Sequence, residues 1–468
     1  MRFHPPILVF LVLASCTSWQ VNHPQDTLRV NVPTTWKEAG SGRNNTISTG
    51  WLKDFDNPAM TRIVREAIGA NLNLKAAAAR LASAREETIV AHARRLPTLD
   101  ISGRGSHSWM ENGSKPSTDV AGYGLTLRAA WEPDLWGRLR DLDRAAFADY
   151  DAALASFRGA RLSLAANTAK AWCNLIAANQ QLALAEFTRS SYKKNLRIIE
   201  RNYRAGVPGV RSLDVNFGRT NVASAERAVH QTTLERDNAA RAIEVLLGRY
   251  PAAALRAPDK LPALHKRIPA GIPANIIERR PDLAAARARI LASARRSDAA
   301  RKNLLPNISL SASTGTGGAN LSRLLDTSFL VSTVAASLQQ IIFDGGATAA
   351  QARASLERNR AAIADYAQLS LEALREVETA LAADRSLARQ EEFLVKQVDQ
   401  ATLAERQSGR DYSEGIEGSG ILSVLEAQRR ATNARASLIR LRNNRLQNRL
   451  DLHLALGGDF QTPPDSGK

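Results

Sequence analysis

Residues 138–204 read RLRDLDRAAFADYDAALASFRGARLSLAANTAKAWCNLIAANQQLALAEFTRSSYKKNLRIIERNYR. No proline occurs from Asp134 through Val207, and Gly159 is the sole glycine between Gly137 and Gly206. Such a stretch is permissive for one unbroken helix. Apolar and small side chains recur at three- and four-residue spacing through Leu139, Leu142, Ala146, Ala153, Ala160 and Leu164 and onward to Tyr203. That is the pattern of a coiled-coil seam with slips. An unbroken helix over this span is about 100 Å long, so it must lie along other long helices, and its alanines let those neighbours approach closely. Of 468 residues 44% are hydrophobic, yet only 5% are aromatic. This composition favours long helices over a compact enzyme core.

Outward from this stretch, the same features return 209 residues later. Leu96-Pro97 recurs as Leu305-Pro306, Gly206 as Gly415, and Leu247-Gly248 as Leu456-Gly457. Leu135-Trp136-Gly137 against Phe343-Asp344-Gly345 is displaced by 208, as one indel in a hairpin would produce. A second proline-free run extends from Asn307 through Thr462. The chain therefore reads as a tandem duplication, each half running helix, two strands, long helices, with a period far beyond that of solenoid repeats. The expected first repeat is 57–248, with strands near 98–110 and 119–132; the linker is 249–275. The second repeat is 276–457, with strands near 306–317 and 328–342, and a tail follows at 458–468.

In the strand segments Ile308, Leu310 and Ala312 alternate with Ser309, Ser311 and Ser313, and Leu125 and Leu127 alternate with Thr126 and Arg128. This is the apolar-out, polar-in pattern of a transmembrane barrel strand, and each run is about the 9–11 residues that cross a bilayer. A small soluble sheet with one polar face gives the same alternation. Turn-rich loops, Glu111–Asp119 and Gly315–Ser328, separate the paired strands. In lipid, four strands cannot close a barrel and an open edge is not tolerated, so the barrel reading demands an oligomer.

The first residues, MRFHPPILVFLVLASC, hold Arg2 and an apolar run from Ile7 to Ala14, too short to span a bilayer. They read as an export signal, 1–15. Leu13-Ala14-Ser15-Cys16 matches the bacterial lipobox, which makes Cys16 the lipidation site and the start of the mature chain. Each buried acyl CH₂ contributes about 0.8 kcal/mol, so several chains anchor durably. Thr17 replaces the Asp of inner-membrane retention, which implies the outer membrane. Cys173 is then left unpaired, a small buried hydrophobe. Seven scattered histidines show no HExxH or CxxC pairing, so neither a metal site nor a nucleophile triad is legible. Lys+Arg 63 against Asp+Glu 46 leaves +17. An Arg-rich surface spread across many helices is the plainest account of it, and the charge would also favour a lipopolysaccharide surface or anionic substrates; nucleic acid is set aside because an exported lipoprotein does not meet it.

The segment Ile268–Ala285, IPAGIPANIIERRPDLAA, carries a resemblance to the TolC-type outer membrane factor family, in its lipoprotein branch of NodT/OprM-like efflux channels. FDNPAMTRIVREAIGANLNL (Phe55–Leu74), WEPDLWGRLR (Trp131–Arg140), Phe343-Asp344-Gly345-Gly346 and VLEAQR (Val424–Arg429) support it. The resemblance implies a mostly α fold with a transmembrane β part. A homotrimer would build a twelve-stranded β-barrel continuous with a periplasmic α-helical barrel, and segments 16–56 and 249–275 would pack on its equatorial region. It implies an outer-membrane exit duct for drugs or other small toxic compounds. The partners are a periplasmic adaptor (membrane fusion) protein, an inner-membrane pump of RND type and outer-membrane lipid; no cofactor and no enzymatic activity are implied.

The same resemblance places a periplasmic gate at the second helix turn: Leu422 as the apolar constriction, Glu426 as the acid and Arg429 as its basic partner, with Asp214 as the acid at the first turn. Here Gly415–Gly420 is about two residues longer than its OprM-like counterpart. Leu422 and Glu426, four apart, share one helix face; an ordinary surface pair of Glu426 with Arg429 fits the spacing equally well. Rival readings are a conduit for type I polypeptide secretion and a periplasmic coiled-coil scaffold, the latter leaving the strands unexplained.

Overall fold

The computed structural model describes residues 32–37, 50–112, 115–264, 273–414, 416 and 420–459. After a short 3₁₀ turn at Trp51–Phe55, helices α1 (Pro58–Ala70) and α2 (Leu72–Ala93) meet at Asn71. Strands β1 (Thr98–Asn112) and β2 (Lys115–Trp131) follow, then α3 (Arg138–Arg204) and α4 (Ser212–Leu246). The order then repeats as α5 (Pro273–Arg279), α6 (Pro281–Lys302), β3 (Asn307–Gly318), β4 (Val331–Gln339), α7 (Ala347–Ser413) and α8 (Ile421–Ala455). Helices α3 and α7 are both 67 residues long, and α4 and α8 are both 35.

Each 67-residue helix is matched lengthwise by two shorter ones. The central helix, α3, packs against α1, α2, α4, α6 and α8, while α7 packs against α6 and α8. Where short and long partners meet, the core is densest. Trp51, Phe55 and Met60 pack with Trp172, Ile176, Ile243 and Leu450. A second cluster gathers Trp36, Ile276, Leu283, Val377, Leu452 and Leu456. Burying each such side chain contributes about 1.5–3 kcal/mol. The described part of the N-terminal segment is pinned here, with Lys37 N–H donating to Glu378 Oε1 at 2.9 Å and Gly50 N–H to the Asp459 carbonyl at 2.8 Å.

Polar contacts hold the same region. Arg280, buried, donates to Asp282, to Glu376 Oε2 at 2.7 Å and to the Ala455 carbonyl at 3.2 Å. It thereby ties the start of α6 to α7 and to the end of α8, which gives the ERRPDL segment an architectural role. Buried Glu244 accepts N–H bonds from Ala253, Ala254 and Leu255 and fixes the chain leaving α4. Gly457 has φ of 66°, and a Cβ there would meet Arg279 and Arg280 backbone at 3.1 Å, so glycine ends this turn for two reasons.

The four strands form one antiparallel sheet in the order β1-β2-β3-β4. The strand limits differ from the sequence expectation. β1 and β2 run past the expected turn at 111–119 and stay paired as far as Asn112 with Lys115, whereas β2 pairs with β3 only up to Tyr123 with Gly318. The first hairpin therefore projects beyond the sheet as a two-stranded ribbon. The turn-rich composition of 111–119 suggested a longer loop; β3 does not reach this part of β2, which is therefore an edge, where Pro116 is tolerated. β4 is shorter than expected, and Leu321–Leu325 and Thr327–Phe329 are 3₁₀ turns.

Candidate functional site

Two regions at opposite ends of the long helices concentrate features that core packing does not explain. The first is the sheet. Asp100, Ser102, Arg104, Ser106, Thr126, Arg128, Ser311 and Ser313 line one concave trough of about 770 Å³. The alternate positions carry Leu99, Ile101, Leu127, Leu310, Val334 and Leu338, all exposed. In register, Ile101 lies opposite Leu127, Ala312 opposite Val334 and Ile308 opposite Leu338, so the apolar face is continuous across all strands. A bare apolar face over four strands is unstable in water and suited to hydrocarbon. β1 and β4 each present an unpaired edge. Among the described residues no helix is long and apolar enough to cross a membrane.

The second region is the pair of helix turns. Residues 205–211 join α3 to α4 and residues 414–420 join α7 to α8, two connections of equal length. Ile199 and Val215 pack with Ile421, Val424 and Leu425, so both turns share one small core. Gln428 accepts from Asn195 at 2.8 Å and donates to Ser191 at 3.3 Å, a polar tie between α8 and α3 just above it. Leu213 and Leu422 project outward at 45% and 53% exposure. They are 209 apart and so occupy equivalent places in the two turns.

Glu426 is flanked by two arginines. Arg429 donates twice to its carboxylate, at 2.8 and 2.9 Å, and Arg430 once at 2.6 Å. Those bonds, Arg430's first and then Arg429's, hold the exposed carboxyl below the usual range. The cluster carries a net positive charge rather than being neutral. Arg430 was not singled out from sequence, although the doublet Arg429-Arg430 puts both guanidiniums within one turn of Glu426.

Asp214 is placed differently. It is 4% exposed, and its carboxylate accepts the Arg211 N–H at 2.8 Å, satisfying an orphan donor at the start of α4. Its equivalent in the second turn is Ser423, whose hydroxyl donates to the Gly420 carbonyl at 2.6 Å. The position matching Glu426 is Phe217, 40% exposed. Leu422 and Glu426 lie together on the open face of α8; Asp214 is taken up by its own helix start, a role that the aspartate at N3 of RSLD could have signalled. Cys16 lies outside the described residues.

Ion pairs also rivet α7 to α8 along their length: Arg449 with Asp384 at 2.9 Å, Arg442 and Arg445 with Glu391, and Arg435 with Glu405 at 2.7 Å. Burial would raise the Glu391 carboxyl, but hydrogen bonds from Arg445 and Arg442 hold it below its ordinary value.

Residues 63–249 and 272–458 both match the sequence model of a family described as outer membrane efflux protein. The chain is 29% identical over 463 residues to the outer membrane protein OprJ of Pseudomonas aeruginosa, covering 97% of this chain and 95% of that one. It is 28% identical over 466 residues to the solvent efflux pump outer membrane protein SrpC of Pseudomonas putida, covering 97% and 98%. To the cation efflux system protein CusC of Escherichia coli K12 it is 27% identical over 458 residues, again covering 97% and 98%. Among solved structures it resembles the outer-membrane channel OprN (TM-score 0.83, 26% identity, 94% of this chain and 100% of that one). It also resembles the open state of the Neisseria gonorrhoeae channel MtrE (TM-score 0.79, 27% identity, 93% and 98%).

Proposed function

The chain belongs to the outer membrane efflux protein family and is an outer-membrane efflux channel; we propose that three copies build one continuous duct, each giving four strands to a closed barrel and its long helices to a tunnel below. The observation that carries this is the sheet itself. It has a polar concave face, an apolar convex face and two free edges, β1 and β4, and it grows directly into helices about 100 Å long. Joining β4 of one copy to β1 of the next removes every edge, and the concave troughs then face a common axis. The halves descend from a duplicated unit, in keeping with the matched helix lengths.

In this reading transport through the duct is passive. Energy comes from an inner-membrane pump of RND type, reached through a periplasmic adaptor that docks at the helix turns. The cargo is drugs or other small toxic compounds, by analogy with SrpC, named for solvent efflux. Cys16 carries the lipid, consistent with the relative SilC of Salmonella typhimurium, named a probable outer membrane lipoprotein. Leu422, Glu426 and Arg429, joined by Arg430, form the periplasmic closure, and Asp214 braces the first turn beside it.

The test is native mass spectrometry of the detergent-extracted protein combined with planar-bilayer recording. The expected result is a trimer of chains that begin at an acylated Cys16 and conduct ions. A stable monomer or dimer that conducts would overturn the shared barrel. A trimer without conductance would favour a scaffold, and an unmodified Cys16 would remove the anchor.

A further inference from the structure

Among the described side chains, the polar face of the sheet carries three charges: Asp100, Arg104 and Arg128. Two of them stand opposite one another, because Asp100 on β1 is the register partner of Arg128 on β2. Arg104 has no such counterweight. Its partner across β1 and β2 is Gly124, and the partner of Gly124 across β2 and β3 is Gly317. The row that contains Arg104 is thus arginine, glycine, glycine, with Ser102 and Ser106 as its nearest same-face neighbours along β1.

Neither glycine is imposed by the backbone. A Cβ on Gly124 would approach nothing closer than 3.8 Å, and one on Gly317 nothing closer than 3.4 Å; neither has a left-handed φ. A Cβ would fit at both positions. What the glycines do is leave the trough open beside the one long, uncompensated cation on the face. On one side Ser102 faces Thr126 and, beyond it, Asp100 faces Arg128, rows that are narrower or neutral; on the other side Ser106 faces Gly122, so the opening continues there without a countercharge.

We propose that Arg104, repeated three times around the duct axis, forms a cationic ring inside the barrel that binds multivalent oxyanions, carboxylates or phosphates, as they pass. The inference rests on the trimeric barrel proposed above. Three guanidiniums at one height, walled by glycine and serine, converge on a lumen whose protein wall concentrates their field. Guanidinium pairs with carboxylate and phosphate through two parallel hydrogen bonds, and a solute bearing several such groups engages more than one arginine at once. Monovalent anions engage a single arginine and are held weakly, whereas cations meet a barrier. The ring makes the barrel a selective exit and gives part of the chain's +17 charge a location.

The experiment is block of single-channel current through the full-length protein in planar bilayers, with citrate and inositol hexakisphosphate as probes, each added to either side in turn. Block is expected at lower concentration from the barrel side. Arg104→Gln is expected to raise the half-blocking concentration by about tenfold or more, while Arg104→Lys, which keeps the charge but not the two parallel hydrogen bonds, falls between Gln and the parent. Arg104→Cys is expected to lose block and to regain it after reaction with aminoethyl methanethiosulfonate, which restores a cation; Cys173 is buried and does not compete. A Gln or unmodified Cys variant that conducts with unchanged block overturns the Arg104 ring and leaves the duct standing. A parent protein that never conducts overturns the barrel reading and the ring with it. Block by citrate without block by the phosphate, or the reverse, narrows the class to one oxyanion.

Discussion

Asn71 Nδ2 donates to the carbonyl of Leu246 at 3.0 Å, and Arg280, 209 residues later, donates through Nη1 to the carbonyl of Ala455 at 3.2 Å. Leu246 and Ala455 are the last residues of α4 and α8. Each repeat thus clamps the end of its 35-residue helix from the break between its two short helices, with an amide in one half and a guanidinium in the other. Asn71 also caps α2 by accepting the Leu74 N–H at 3.0 Å.

These two clamps should differ in strength. Arg280→Ala removes hydrogen bonds to charged partners, worth about 1.5–3 kcal/mol, and opens the junction of α6, α7 and α8. Asn71→Ala removes a cap and one carbonyl bond, worth about 1 kcal/mol. Thermal melts of the detergent-solubilised protein should rank parent above Asn71→Ala above Arg280→Ala; equal midpoints for all three would refute the clamp.

The closure proposed at the second turn should resist loss of one arginine. Because both Arg429 and Arg430 bond Glu426, Arg429→Ala is expected to leave conductance and vancomycin sensitivity near the parent level. Glu426→Ala and the double arginine variant are each expected to raise both several-fold. If Glu426→Ala changes neither, the cluster is only a surface ornament of α8. The same bonds keep the carboxylate ionised in mildly acid medium, so acidification from neutral to about pH 5 should not mimic Glu426→Ala.

His453 makes stability fall in acid. The ring stacks on Trp51 at 5.5 Å, lies 6.1 Å from Phe55 and is 1% exposed. Burial, reinforced by Arg449, lowers its pKa from 6.5 to about 3, although Asp54 Oδ2 stands 3.6 Å from Nε2. The unfolded chain therefore binds a proton that the folded chain refuses. The contribution is complete above about pH 6.5 and shrinks by roughly 1.4 kcal/mol per pH unit per chain on descending toward pH 3. Denaturation midpoints followed across this window should lose that slope in His453→Gln; an unchanged slope would assign the acid sensitivity to carboxylates instead.

Cys173 should be silent. It is fully buried, and burial pushes its thiol up to about 12, so almost no thiolate exists near neutrality. A maleimide or disulfide reagent should leave it unmodified in the folded protein and label it fully after denaturation. Labelling of the native state would place the α3 seam open to solvent.

What the sequence disclosed follows from how local each signal is. The long helix at 138–204 was legible because proline is absent, and it spans Arg138–Arg204 in the fold. The sheet's two faces were legible at Leu125–Arg128 and Ile308–Ser313, but not along β1, where Gly103 and Gly105 interrupt the alternation that would have marked Arg104 as lying on the polar face. Glu426 with Arg429 came from the family resemblance, and their three-residue spacing suits the pair they form. The engagement of Asp214 did not: an aspartate near a helix start serves equally as cap or as open acid until the backbone N–H it bonds is known. Repeat register would have helped, since adding 209 to Asp214 gives Ser423 and not Glu426.

The matched lengths of α3 with α7 and of α4 with α8 leave the molecule no freedom to change its reach piecemeal. Removing a heptad from α3 alone would strand its turn above that of α7 and break the small core that joins them. A shorter duct needs coordinated cuts in all four helices at once. The distance this protein bridges is accordingly a property that its two halves can only inherit together, and a cell that altered the depth of its envelope would have to replace the chain rather than trim it.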